Sequence, residues 1–149
     1  NCTMTRNEAT ISYGGAVSDQ NGIGELKNCV VWGNTAAKRG AFGYQLYSGS
    51  GGSTLATYCD IQEGYFGSTN FNLDPRFEGF ALGNMRLSSD SPCVNAGSTL
   101  GLPIDECDLD WDANRTEQVP FDLDRRRRVI SNFVDLGAFE TAARRSAEK

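Results

Sequence analysis

The chain contains no histidine, and this absence excludes several common kinds of site at once. Histidine-based acid–base catalysis, histidine-ligated zinc and the Ser-His-Asp triad all need an imidazole. No run of about 18 apolar residues is present, so the sequence predicts no membrane-spanning helix. Lys and Arg number 14 against 19 Asp and Glu, which gives a net charge of −5. Nucleic-acid binding needs a basic face, so we expect no nucleic-acid partner.

What is present favours one β-rich domain. The 149 residues suit a single domain. Hydrophobic residues make up 39% of the chain, and together with the glycines they give the apolar content of an ordinary packed protein. Glycine is abundant, at 17 residues, whereas proline has 4, and this balance favours turn-rich β structure over a helical bundle. The chain begins at Asn1 without a signal-peptide pattern, so we expect a processed or truncated piece of a longer protein.

A motif of asparagine and cysteine recurs in the N-terminal part of the chain. Residues 1–7 and residues 28–34 both read N-C-x-x-x-x-N, and Cys59 follows Cys29 at nearly the interval that separates Cys29 from Cys2. A period of this length, with short strands and no helical pattern, is typical of a solenoid in which each repeat forms one turn. The expected stacks of equivalent side chains in successive turns are Cys2, Cys29 and Cys59 in one column, and Asn7 and Asn34 in another.

Residues 72–140 lose the repeat and carry a different series of motifs. In order, the chain reads D-P-x-F from Asp74, S-P-C-x-x-A-G from Ser91, D-x-D-x-x-x-R from Asp122 and V-D-x-G-A-x-E from Val134. This order resembles the C-terminal end of bacterial β-helix surface proteins that carry a choice-of-anchor Q type segment. The GGAV stretch at 14–17 is likewise similar to the repeats of adhesin-like and polymorphic outer-membrane-protein-like solenoids.

The resemblance implies an all-β fold, namely a right-handed parallel β-helix of about three turns with an irregular C-terminal cap. We expect residues 1–70 to form the turns, residues 71–140 to form a capping segment of the same domain, and residues 141–149 to be a frayed tail. The implied function is a non-catalytic, extracellular structural or adhesin-type module at the C-terminal end of a larger surface or secreted protein.

The partners expected for such a module follow from its open end. An open solenoid end exposes an unpaired strand edge, so a further layer of strands should cover it. Upstream turns of the same protein would do so, as would other copies of the chain associating end to end into a filament.

Residues 105–124 are strongly acidic and contain a candidate metal site. Alternating carboxylates on a turning loop can converge on one calcium ion, which takes about 6–8 oxygen ligands. The D-x-D-x-D-x-N spacing of calcium loops is given by Asp108, Asp110, Asp112 and Asn114, and either Glu117 or Asp122 would supply a further acidic ligand. An EF-hand loop also needs Gly and Glu where this chain has Ala113 and Val119, so the loop is not an EF-hand. The other interpretation is a solvated acidic loop that forms ion pairs with the basic run Arg125–Arg128.

Cys93 and Cys107 are the remaining two of the five cysteines. Both lie in the loop-rich segment, and in an oxidising compartment they are the expected disulfide. No C-x-x-C motif is present, so a zinc site or a thioredoxin-like site is poorly supported.

The alternative function is carbohydrate-active, either as a polysaccharide lyase or hydrolase fragment or as a glycan-binding module. A glycosidase needs two carboxylates about 5–10 Å apart across the sugar. The acidic residues of the repeats are scattered, and none recurs at the repeat spacing in a way that would build such a pair. We therefore assign no catalytic residue, and carbohydrate stays an alternative partner.

Overall fold

The computed structural model describes residues 1–141 and shows an all-β chain of short strands with two 3₁₀ turns, Phe80–Leu82 and Thr99–Gly101. The strands are β1 (Thr3–Thr5), β2 (Glu8–Ala9), β3 (Val17–Asp19), β4 (Ile23–Lys27), β5 (Val30–Trp32), β6 (Thr35–Ala36), β7 (Leu46–Ser48), β8 (Ser53–Thr57), β9 (Asp60–Ile61), β10 (Phe77–Gly79) and β11 (Asn84–Leu87). Among the described residues, no helix has the length and apolar character needed to cross a bilayer. The expected frayed tail falls, from residue 142 onward, outside the described residues.

Strands about one repeat apart pair in parallel. β1, β5 and β9 form a three-stranded sheet in which Met4 lies beside Val31 and Val31 beside Ile61. The pairs β2–β6, β3–β7 and β4–β8 form three further parallel sheets, and in the last of these Ile23 lies beside Ser53. The interval between paired residues is therefore close to the interval at which the asparagine–cysteine motif recurs. The all-β prediction is confirmed, and the period seen in the sequence matches the spacing of paired strands.

The β1–β5–β9 sheet is buried on both faces. Successive side chains of a strand point to opposite faces, so Val30 and Val31 of β5 pack on different groups. Val31 belongs to one cluster, with Leu26, Cys29, Leu46, Ala56, Cys59 and Ile61. Val30 belongs to a second cluster, with Leu87, Cys93, Val94 and Leu136. The second cluster joins the repeats to the C-terminal half of the chain.

Backbone hydrogen bonds hold the C-terminal half against this sheet. The Gly137 N–H donates to the Asn28 carbonyl at 2.8 Å, and the Ala138 N–H donates to Thr3 Oγ1 at 3.0 Å. Gly137 has a φ of 91°, and a Cβ there would lie 2.5 Å from Thr3 Oγ1, so only glycine fits. The buried Asn28 amide also accepts from and donates to the backbone of Ser98. The C-terminal half therefore covers the side of the sheet.

The two edge strands of the β1–β5–β9 sheet differ in whether their outer hydrogen-bonding groups have partners. Next to β9, the Phe71 N–H donates to the Cys59 carbonyl and the Ile61 N–H donates to the Phe71 carbonyl. Side-chain oxygens of Thr69 and Asn70 accept from the neighbouring N–H groups, at Tyr58 and Cys59. Within the described residues, β1 pairs only with β5, so its opposite edge has no strand beside it.

The β4–β8 register predicts a specific cross-link. Glu25 and Leu55 are direct neighbours, and both side chains are exposed. Neighbouring parallel strands lie about 4.8 Å apart, which falls within the Cα separation that a disulfide spans. After replacement of the exposed Cys2 and Cys107 by serine, we expect Glu25→Cys/Leu55→Cys to oxidise intramolecularly, as detected by peptide mass spectrometry.

The matched control for this cross-link is Lys27→Cys/Leu55→Cys. Lys27 lies on the same exposed face of β4 but two positions out of register with Leu55. Its Cα is therefore about 8 Å from that of Leu55, beyond the reach of a disulfide. Equal oxidation of the two variants would contradict the register.

Candidate metal centre

The acidic segment folds into consecutive turns, and a backbone hydrogen bond joins the two ends of this series of turns. The Asp105 N–H donates to the Glu117 carbonyl at 2.8 Å, which places these residues side by side although they are well separated along the chain. Between them, the Asp108 N–H donates to the Asp105 carbonyl and the Trp111 N–H donates to the Asp108 carbonyl. Asp108 and Trp111 have left-handed φ values of 54° and 63°, which turn the chain back on itself.

Three carboxylates converge inside these turns. One oxygen from each of Asp105, Asp110 and Glu117 lies within 4.8 Å of the other two. Asp105 is only 1% exposed, and its Oδ2 accepts from the Leu109 N–H at 2.8 Å. Its Oδ1, Asp110 Oδ1 and Glu117 Oε1 are buried without a hydrogen-bond partner. Buried polar atoms are normally paired, so the arrangement lacks a positively charged or donating group.

The sequence-predicted ligands divide into two sets. Asp110 and Glu117 belong to the buried group just described, whereas Asp108 and Asp112 form a second group with Asp110. In that second group, Asp108 Oδ1 accepts from the Ala113 N–H and Asp112 Oδ1 accepts from the Asn114 N–H. Asn114 Oδ1 accepts from the N–H and the hydroxyl of Thr116. Asp108 and Asp112 therefore satisfy backbone groups of the turns, whereas Asn114 also donates from Nδ2 to Glu117 Oε2 at 3.3 Å.

Asp105 is the member of the site that sequence reasoning missed. It lies outside the D-x-D-x-D-x-N spacing and joins Glu117 only because the backbone on either side of the turns pairs. The isolated bridge between Ile104 and Gln118 is the structural cause, and neither residue carries a strand pattern in the sequence.

Among the described residues no basic side chain forms an ion pair with the acidic group, although Arg127 lines the same cleft as Asp110 and Glu117. Burial raises the pKa of Glu117 above its usual range, and the carboxylates of Asp112 and Asp110 raise it further. The expected ion pairs between the acidic loop and the basic run are not found among the described residues, and Arg128 instead forms a buried pair with Glu140 at 3.0 Å. A cleft of about 460 Å³ opens beside Asp110 and Glu117.

The acids of the C-terminal motifs have a different, structural role. Asp122 accepts from the N–H groups of Asp124, Arg126 and Glu140. Glu140 in turn accepts from Arg128 and from the Asp135 N–H. Burial, and after it the Asp135 carboxylate, raises the pKa of Glu140, while the Arg128 guanidinium opposes that rise. The acidic side chains of these motifs therefore hold the loop backbone in place by accepting its N–H groups.

The structure brings the residues of the expected stacks together. Asn7 Nδ2 donates to Asn34 Oδ1 at 2.8 Å, and Asn34 Nδ2 donates to the buried Gln45. The Cys2 N–H points to Cys29 Sγ at 3.4 Å, and the Cys29 N–H points to Cys59 Sγ at 3.5 Å. Gln45 was not singled out in the sequence, and it extends the amide network into the interior.

The predicted Cys93–Cys107 disulfide is wrong. All five cysteines lie in the described part of the chain, and all five are free. Cys93 is buried in the cluster around Val30, whereas Cys107 is exposed beside the acidic turns. Cys93 Sγ instead donates to the fully buried Asp60 at 3.2 Å, and the Leu73 N–H also donates to Asp60. Burial raises the pKa of Asp60 to about 6 and also raises that of the Cys93 thiol.

Comparison of the chain with protein-family models, with curated proteins and with solved structures gives no match in any of the three.

The buried Asp60 predicts a pH-dependent effect of Asp60→Asn. Its pKa is raised on folding, so the stability it contributes is present below about pH 4 and is lost as the pH rises through 6. Asn has the same shape, keeps an acceptor for Leu73 and does not ionise. We expect the free energy of unfolding of the variant, relative to that of the unsubstituted chain, to increase by about 1–3 kcal/mol between pH 4 and pH 8.

Urea unfolding at several pH values measures this difference. Glu8→Gln is the control, because it removes one carboxylate, as Asp60→Asn does, but from an exposed side chain. A difference for Asp60→Asn that stays constant with pH would contradict the raised pKa.

Proposed function

We propose that the chain is a non-catalytic structural module built as a right-handed parallel β-helix of about three turns. The observation that carries this proposal is the set of parallel pairings between strands one sequence repeat apart. Parallel partners cannot be joined by a tight hairpin, so the chain must travel around before it pairs again. Here β2, β3 and β4 lie on that path between β1 and β5, and each pairs with the corresponding strand of the next repeat.

The packing inside the repeats supports a structural role. Side chains from β4, β5, β7, β8 and β9 contribute to one apolar cluster, which includes Val31, Leu46 and Ile61. Polar groups beside this cluster form hydrogen bonds with one another, since Gln45 Nε2 donates to the Asn34 backbone carbonyl and to Gln62 Oε1. Side chains engaged in this way stabilise the repeats and are not available to a substrate.

The C-terminal half supports the proposed position of the module at the end of a larger protein. Leu136 and Val94 bury the outer face of the β1–β5–β9 sheet, and the region from Thr69 to Leu73 provides partners beside β9. A segment that covers one side and one end of the repeats is what a terminal cap requires. In this proposal the module belongs to a surface or secreted protein of the bacterial β-helix kind that its motifs resemble.

The uncovered edge of β1 is the proposed contact with a further layer of strands. The Cys2 carbonyl accepts from the Val30 N–H, so by the alternation of a parallel strand the N–H groups of Thr3 and Thr5 point away from β5. A row of outward N–H and C=O groups is a template for pairing with another strand. Either upstream turns or a second copy of the chain would supply that strand.

The isolated chain should therefore associate, and Thr5→Pro should weaken the association. Proline removes the outward N–H of Thr5 without removing a donor to β5. We expect light scattering to show concentration-dependent growth for the unsubstituted chain and a shift toward monomer for the variant, with electron microscopy showing the assemblies.

Thr5→Val is the matched control, because it keeps the N–H and favours a strand. It should associate like the unsubstituted chain, and circular dichroism should show that both variants are folded. A chain that stays monomeric at every concentration would contradict self-association, as would equal assembly of Thr5→Pro and Thr5→Val.

A further inference from the structure

The buried carboxylate oxygens between residues 105 and 117 are the least explained polar atoms of the chain. Asp105 is 1% exposed, with Oδ1 buried and without a partner, and Asp110 Oδ1 and Glu117 Oε1 are buried and unpartnered beside it. A carboxylate with no counter-charge should avoid such a position, because burial disfavours its ionised form. The chain instead folds back to bring three carboxylates together, which indicates a positive ligand.

We propose that Asp105, Asp110 and Glu117 bind one calcium ion. Their three oxygens are hard ligands, and no imidazole is available in this chain to favour zinc. Two oxygens that bind the same calcium ion at about 2.4 Å can be at most about 4.8 Å apart. One oxygen from each of the three residues meets that condition, since these oxygens all lie within 4.8 Å of one another. The open cleft of about 460 Å³ beside Asp110 and Glu117 leaves room for water to complete the coordination.

The second acidic group, Asp108, Asp110 and Asp112, fits an ion less well. Asp112 is exposed, and one oxygen each of Asp108 and Asp112 already accepts a backbone N–H of the turns. Water can satisfy exposed carboxylates, so this group needs no ion to be stable. The unmet requirement is at Asp105, which water does not reach.

Ion binding at this site would stabilise more than the turns themselves. Asp105 and Glu117 lie on opposite sides of the turns, so a shared ion holds the two sides together. Gln118, next to Glu117, donates from Nε2 to the Thr99 carbonyl at 2.6 Å. Ser98, next to Thr99, is in turn bound to the buried Asn28 of the repeats. Calcium should therefore raise the melting temperature of the whole chain, independently of whether copies of the chain associate.

Binding is measured on the full chain after treatment with a chelator. Trp111 follows Asp110 directly, so Tb³⁺ in the site can be detected through indole-sensitised emission. We expect saturable emission with one Tb³⁺ per chain, displacement by Ca²⁺ at lower concentration than by Mg²⁺, and a higher melting temperature in Ca²⁺ than in chelator. Absence of saturable binding, or equal melting temperatures in both conditions, would overturn the proposal.

Isosteric variants assign the ligands. Asp105→Asn and Glu117→Gln should each lower Ca²⁺ affinity at least about tenfold. The matched control is Glu106→Gln, which removes the same charge from an exposed side chain next to Asp105 and should change affinity by less than about twofold. If Asp105→Asn does not fold, Glu117→Gln decides, because Glu117 is only half-buried. Loss of binding in Asp112→Asn with retention in Glu117→Gln would overturn this assignment in favour of the second acidic group.

Discussion

Parallel hydrogen bonding in the β1–β5–β9 sheet is the constraint on which the rest of the structure depends. Each of these strands contributes only two or three residues, so the sheet gains little from its own length. Its stability comes from burial of both faces, with Val31 and Ile61 on one side and Val30 on the other. A parallel sheet covered on both faces is the usual condition for parallel pairing. The C-terminal half is therefore needed to complete the core, because Leu136 and Val94 cover the face that Val30 presents.

The chain uses its acidic residues in two physically different ways. Asp122, Asp135 and Glu140 are buried, and their oxygens accept several N–H groups, which replace the lost hydration. Asp105 is equally buried, yet one of its oxygens lacks such a donor. Burial alone therefore does not distinguish a structural carboxylate from a candidate ligand. The distinction comes from whether the backbone supplies the hydrogen bonds.

Features that repeat along the chain could be predicted from the sequence, whereas contacts between distant segments could not. The columns of cysteine and of asparagine recur at the repeat spacing, and paired strands place those residues in contact. Cys93 was assigned the wrong partner because its environment is set by β9, through Asp60, and separation along the chain carries no information about that. Asp105 was missed for the same reason, since it meets Glu117 only when the segments around residues 104 and 118 pair.

The spacing between paired strands is not constant, and this has a consequence for how such a chain can change. Glu8 pairs with Thr35 in β2–β6, whereas Ile23 pairs with Ser53 in β4–β8, so the interval lengthens along the chain while each pair keeps its register. The additional residues lie in the connections on either side of β7, including the glycine-rich turn at 49–52. Lengthening a surface connection costs little free energy. Insertions in these connections can therefore form new exterior loops while the paired strands keep their register.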